Sequence, residues 1–190
     1  GKNISVVGLS QGALIARYIV EECDFGGSVK RYISIGGPQM GVAGVPLCQG
    51  GFICDGLNSV IDLFVYSKPI QSIIGPAGYY RNYKNYEAYA KGSIFLPELN
   101  NEIEKSQNSI DAEEKIGDTK KSKMLQLEKM VLIMFKRDTM IIPKETAWFQ
   151  FFDNKRNLLA FEETDVYKQD LIGLKELNDS GRIVFEALEG

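Results

Sequence analysis

Histidine is missing from all 190 residues. That excludes a Ser-His-Asp triad built from this chain alone and removes the commonest metal ligand. Cysteine is scarce too, with only Cys23, Cys48 and Cys54. The C-x5-C spacing of the last two is wrong for a C-x2-C zinc half-site, so no metal site is expected. Nothing in the sequence calls for a cofactor. For Cys48 and Cys54 a small-loop disulfide is the better reading, which implies an oxidising compartment. Cys23 is then either a free buried thiol or the partner of a cysteine outside the chain. No apolar run reaches the ~18 residues of a membrane span, so no transmembrane segment is expected. The net charge of -3 leaves no basic footprint for nucleic acid or an anionic membrane.

What is present has globular composition and the length of one ordinary domain. Lys2 to Val7 reads as a short buried strand that ends at Gly8. Ala13, Leu14, Ala16, Ile19 and Val20 then recur at helical spacing, with Arg17, Glu21 and Glu22 as polar interruptions on the other side. Lys30 to Ile35 is a second strand candidate, so residues 1–36 suggest a βαβ unit of a parallel sheet.

From Gly37 to about residue 128 the pattern loses regular period. Leu57 to Ile74 holds one or two short helices at most, limited by Pro69 and Pro76, and Glu102 to Lys123 reads as a solvated loop or exposed helix. Residues 37–128 are therefore expected to be an insertion. The core is expected to resume over 129–190. Met130 to Phe135 is continuously apolar, as in a central parallel strand. Glu145 to Phe152 reads as a short helix burying Trp148, Phe149 and Phe152. Leu171 to Asp179 reads as another helix, and Ile183 to Phe185 as a last strand.

Gly8-Leu9-Ser10-Gln11-Gly12 matches G-x-S-x-G between the apolar strand and the helical pattern. That context is the one a nucleophile elbow requires. Glycines flank such a serine because side chains there are expected to clash with strand and helix. The backbone N–H of Gln11, at the helix start, would face the developing oxyanion. The plain alternative is a strand-to-helix turn with Ser10 as N-cap.

A serine needs a base and an acid. In α/β-hydrolases they follow in the order acid, then histidine. Asp138 follows the core strand at its carboxyl end, where sites in such sheets gather, or is simply a loop carboxylate before Thr139. With no histidine before Gly190, either no triad is used or the histidine lies beyond this sequence.

Beyond the elbow, distinctive stretches run in order through the chain. They include Tyr32-Ile33-Ser34-Ile35-Gly36-Gly37-Pro38-Gln39-Met40-Gly41-Val42-Ala43-Gly44-Val45-Pro46, Tyr66-Ser67-Lys68, Ser93-Ile94-Phe95-Leu96, Tyr167-Lys168-Gln169-Asp170 and Gly173-Leu174-Lys175-Glu176. On these the chain resembles palmitoyl-protein thioesterases over nearly its whole length. The resemblance implies an α/β-hydrolase fold, a mostly parallel sheet with an inserted, mainly helical region. It implies hydrolysis of palmitoyl thioesters on S-acylated proteins, in the lysosome or secretory pathway. Ser10 is then the nucleophile, Asp138 the triad acid and Cys48–Cys54 a disulfide, with the partner of Cys23 upstream. It further implies that N-terminal strands precede Gly1 and that the triad histidine follows Gly190.

A long acyl chain needs an apolar groove, and each buried methylene is worth ~0.8 kcal/mol. Leu63, Phe64, Val65, Ile70, Ile73 and Ile74 are the candidate wall, with ordinary core packing as the alternative. Two sequons occur, at Asn3 and Asn178. Asn3 is discounted as part of a buried strand, and Asn178 is kept. The competing functions are a general lipase or carboxylesterase, and an inactive homologue that binds acyl chains or a protein.

Overall fold

The computed structural model describes residues 3–24, 26–44, 60–103 and 119–189. Cys48 and Cys54 lie outside them. The frame is a four-stranded sheet of β1 (Asn3–Leu9), β2 (Ser28–Ile35), β3 (Lys129–Phe135) and β6 (Ile183–Leu188). The strands stand in the order β1-β2-β3-β6, and every pair is parallel. Mixed α/β with a parallel sheet is the expected class, and the arrangement is that of an α/β-hydrolase core.

The strands differ by position. In β3, Met130 and Leu132 are fully buried and the alternate residues half-buried, as expected for a strand between β2 and β6 with both faces covered. β1 has β2 on one side only. Val7 is 57% and Leu9 64% exposed, and Asn3 is exposed as well. Among the described residues, Asn3 to Val7 is therefore half-buried to exposed rather than buried as expected.

Helix α1 (Gln11–Glu22) packs on the sheet through Ala13, Ala16 and Val20. Small residues let the helix come close. A Cβ on Gly37 would lie 2.4 Å from Ala13 Cβ. Arg17 and Glu21 are not on a polar outer face as expected, because both are fully buried. Inside, Arg17 Nε lies 3.4 Å from the Glu21 carboxylate, and its guanidinium donates to Asn100 and lies over the Phe149 ring, while neither Glu21 oxygen accepts a hydrogen bond among the described residues.

Between β2 and β3 the chain runs through short helices: residues 60–64, α2 (Lys68–Ile73), α3 (Tyr86–Gly92), α4 (Leu96–Leu99) and residues 119–124. A 3-10 helix, Gly75–Tyr79, lies among them. Local signals set their ends. Pro69 stands in the first turn of α2, and Asn85 caps α3 by accepting from Ala88 N–H at 3.0 Å. Tyr89, Leu96 and Leu99 close over Leu14 of α1. Glu102 is buried rather than solvated, holding Arg81 at 2.7 Å and accepting from the Tyr89 hydroxyl at 2.7 Å. Lys120 is also buried, 2.9 Å from Glu22. Both ends of the stretch expected to be solvated thus anchor to the core.

The expected helix from Glu145 to Phe152 is not formed. A 3-10 helix, Lys144–Trp148, ends at Phe149, whose φ of 59° is left-handed. Phe151–Phe152 (β4) then pairs antiparallel with Leu158–Leu159 (β5). Phe149 is buried and Trp148 and Phe152 half-buried, but by a turn and a hairpin. Two short helices, α5 (Asp165–Lys168) and α6 (Leu174–Asp179), lead to β6.

Candidate active site

Ser10 sits between β1 and α1 with φ 51° and ψ -127°. A non-glycine residue there is strained and persists only where its surroundings over-determine it. Here they do. Ser10 N–H donates to the Ile35 carbonyl at 2.8 Å, and its own carbonyl accepts from Ala13 N–H at 2.9 Å. Ala13 is held in turn, because its carbonyl accepts from the buried Tyr32 hydroxyl at 2.8 Å. Gln39 bonds Tyr32 at 2.7 Å and Ser34 at 2.9 Å.

The two motif glycines are not equivalent. A Cβ on Gly8 would lie 2.4 Å from both Ala13 Cα and the Gly12 carbonyl oxygen. A Cβ on Gly12 would meet nothing within 4 Å. The expected clash holds for Gly8 and not for Gly12.

The N–H of Gln11, at the first position of α1, belongs to the helix-start donors that have no intrahelical acceptor. It is therefore free for an anion beside Ser10.

Asp138 follows β3 in a tight turn. Its N–H donates to the Phe135 carbonyl at 3.2 Å. Its Oδ1 accepts from Met140 N–H at 2.8 Å and Ile141 N–H at 3.1 Å. Ser10 and Asp138 thus occupy the carboxyl edge of the same sheet, on strands two apart, or about 10 Å at the usual strand spacing. The chain leaves β6 at that edge too. Phe135 pairs with Leu188, and Lys136 N–H donates to the Leu188 carbonyl at 2.8 Å.

Beside Ser10 opens a cavity of about 490 Å³. Among the proposed wall residues, Phe64, Val65, Ile70 and Ile74 line it. Leu63 and Ile73 do not, being 77% and 82% exposed. The sequence reading missed Val42, Ala77, Tyr79 and Tyr80 on the same wall, and Met140 and Ile141 beside Asp138. For the last two a signal was available, since they stand two and three positions after Asp138.

No group of three or more His, Cys, Asp or Glu among the described residues could hold a metal ion. No described helix is long and apolar enough to cross a membrane. Cys23 is half-buried and unpaired among the described residues. Asn178, the retained sequon residue, is half-buried, and its amide donates to the Tyr167 hydroxyl at 3.2 Å.

Comparison with known proteins adds the following. The family model for palmitoyl protein thioesterase matches residues 1–190. Palmitoyl-protein thioesterase 1 of Caenorhabditis elegans is 36% identical over 98% of this chain and 59% of its own length. Palmitoyl-protein thioesterase 3 of Dictyostelium discoideum is 31% identical over 95% of this chain and 58% of its own length. A Drosophila melanogaster protein named lysosomal thioesterase PPT2 homolog is 30% identical over 96% of this chain and 59% of its own length. The chain spans about three fifths of the length of these relatives.

Proposed function

The chain belongs to the palmitoyl protein thioesterase family, and from that premise we propose that it is the nucleophile-bearing part of an enzyme that removes long-chain acyl groups from cysteine thioesters of S-acylated proteins. The observation that carries this reading is Ser10, held at φ 51° on the wall of an apolar cavity of about 490 Å³. A strained serine at a helix start suits acyl transfer, and a hydrocarbon-walled cavity suits a fatty chain.

The chemistry runs in two steps. Ser10 Oγ attacks the thioester carbonyl while a base accepts its proton. The oxyanion that forms is stabilised by Gln11 N–H, with the helix start adding partial positive charge. Collapse breaks the carbon–sulfur bond, and the thiolate leaves with the proton returned by the base. Water then adds to the acyl-serine with the same base as acceptor, releasing the fatty acid and restoring the serine.

In this reading the base is a histidine outside these 190 residues, which contain none. A segment continuing from β6 would reach it, because Leu188 already borders the turn that holds Asp138. Asp138 would orient that imidazole and stabilise its cation. With both of its N–H bonds on Oδ1, Oδ2 is left to face the ring. The name of the Drosophila relative supports a lysosomal setting. A lipase or carboxylesterase would use the same wall and the same serine, so the leaving group decides between them.

The test is turnover by the intact protein. It should cleave palmitoyl thioesters at least about a hundredfold better than acetyl thioesters in kcat/KM, given ~0.8 kcal/mol per buried methylene. It should also prefer the thioester to the matching oxygen ester. Equal constants for the two chain lengths would contradict the reading.

A further inference from the structure

A second cavity, of about 250 Å³, is left unused by this chemistry. Leu14, Ile15, Ile94 and Phe95 form its apolar wall. The side chain of Gln71 also reaches it, but that amide is already engaged. Its nitrogen donates to the Val65 and Ala77 carbonyls, and its oxygen accepts from Ile94 N–H. Gln11 lines it as well, so the space offers mainly hydrocarbon and no charge, which fits an apolar ligand.

The two cavities are separated by a wall one element thick. Neighbours in sequence face opposite ways: Ser10 and Gln11, Ile70 and Gln71, Ile74 and Gly75. The 3-10 helix Gly75–Tyr79 forms the partition, and Tyr79 alone lines both spaces. On its second-cavity side the helix presents Gly75, Gly78 and Tyr79. The glycines are pressed against the far wall. A Cβ on Gly75 would lie 3.0 Å from the Gln11 amide nitrogen, and one on Gly78 3.2 Å from Phe95 Cβ. Tyr79 is the one described residue that borders both spaces, and it also packs beside Leu14, Leu96 and Leu99.

We infer that Tyr79 ends the acyl cavity and sets the longest chain it takes, and that the space behind it would accept the terminal methylenes of longer chains. The inference rests on the acyl-thioester reading above. It is a specificity role. Tyr79 limits which chain fits and moves no proton.

The experiment uses the intact protein and saturated acyl thioesters from C12 to C24, with displacement of a fluorescent fatty acid as a second readout. Tyr79→Ala should raise the C20:C16 ratio of kcat/KM by tenfold or more, since each newly buried methylene is worth about fourfold. Tyr79→Phe, which keeps the ring, should retain the parent ratio. Should Tyr79→Ala fail to fold, Tyr79→Leu carries the same comparison with a smaller gain. Adding Ile94→Trp to Tyr79→Ala fills the second cavity and should cancel the gain.

An unchanged ratio in a folded Tyr79 variant would overturn the inference. So would a gain that survives Ile94→Trp, or a change that follows the thiol leaving group instead of the acyl chain. Fatty-acid displacement needs no turnover. A parent that binds C16 acid but cleaves no thioester would thus sink the proposed function and leave the Tyr79 comparison readable.

Discussion

Ser10 and Asp138 stand at the carboxyl ends of two strands of one sheet, yet they are held by different means. Ser10 is fixed by close backbone packing and a buried polar layer behind it. Gly8 lies against Ala13, Tyr32 bonds the Ala13 carbonyl, and the Arg17–Glu21 pair runs along the inner face of α1. Asp138 is held by its own turn, half-buried, through bonds to the next two or three residues. The serine's position is therefore a property of the whole βαβ unit, whereas the carboxylate's is local. Damage near the serine should appear as lost fold, and damage at the acid as lost rate.

The largest effect should come from Gly8→Ala. The added methyl would meet backbone atoms at 2.4 Å, and backbone cannot rotate away. Destabilisation of about 4 kcal/mol or more is expected, in the range of the severest single substitutions, read by denaturant unfolding of the intact protein. A variant within 1 kcal/mol of the parent would show that the elbow yields more easily than its geometry indicates.

Asp138→Asn should do the reverse. The asparagine oxygen can still accept from Met140 and Ile141 N–H, so stability should barely move. The imidazolium would lose its counter-charge, and kcat should fall by about 10³ to 10⁴. A drop in stability with rate preserved would break the contrast.

The smallest effect concerns the layer behind the elbow. Burial lifts the Glu21 carboxyl from 4.5 to about 7, against the pull of Arg17 and Lys120. The folded state thus holds this proton more tightly than the unfolded state. Through this group, stability is greatest below about pH 4.5 and falls as pH rises toward 7, by about 3 kcal/mol on the linkage relation. Glu21→Gln cannot ionise and should remove that slope. Unfolding curves across this range check it, and an unchanged slope would place the titration elsewhere.

The same contrast explains what could be read from sequence. The strand–serine–helix unit and β3 were legible because apolar period and turn glycines are local signals. The place of Asp138 after a core strand was legible too, while its role as the acid belongs to the proposed function. Arg17 and Glu21 looked like an outer face because charge usually marks solvent, and the Arg17 partner Asn100 is far away in sequence. Trp148, Phe149 and Phe152 kept helical spacing, but the left-handed turn at Phe149 leaves no such trace. The cavity wall was half legible. Apolar composition located the segment, but it cannot tell that Phe64, Val65, Ile70 and Ile74 line the cavity while Leu63 and Ile73 stand exposed.

The most direct test is to trap the intermediate. The intact protein, quenched during turnover of a palmitoyl thioester, should carry the acyl group on the peptide containing Ser10, and Ser10→Ala should carry none and turn over nothing. Acyl transfer to another residue, or full turnover by Ser10→Ala, would contradict the account.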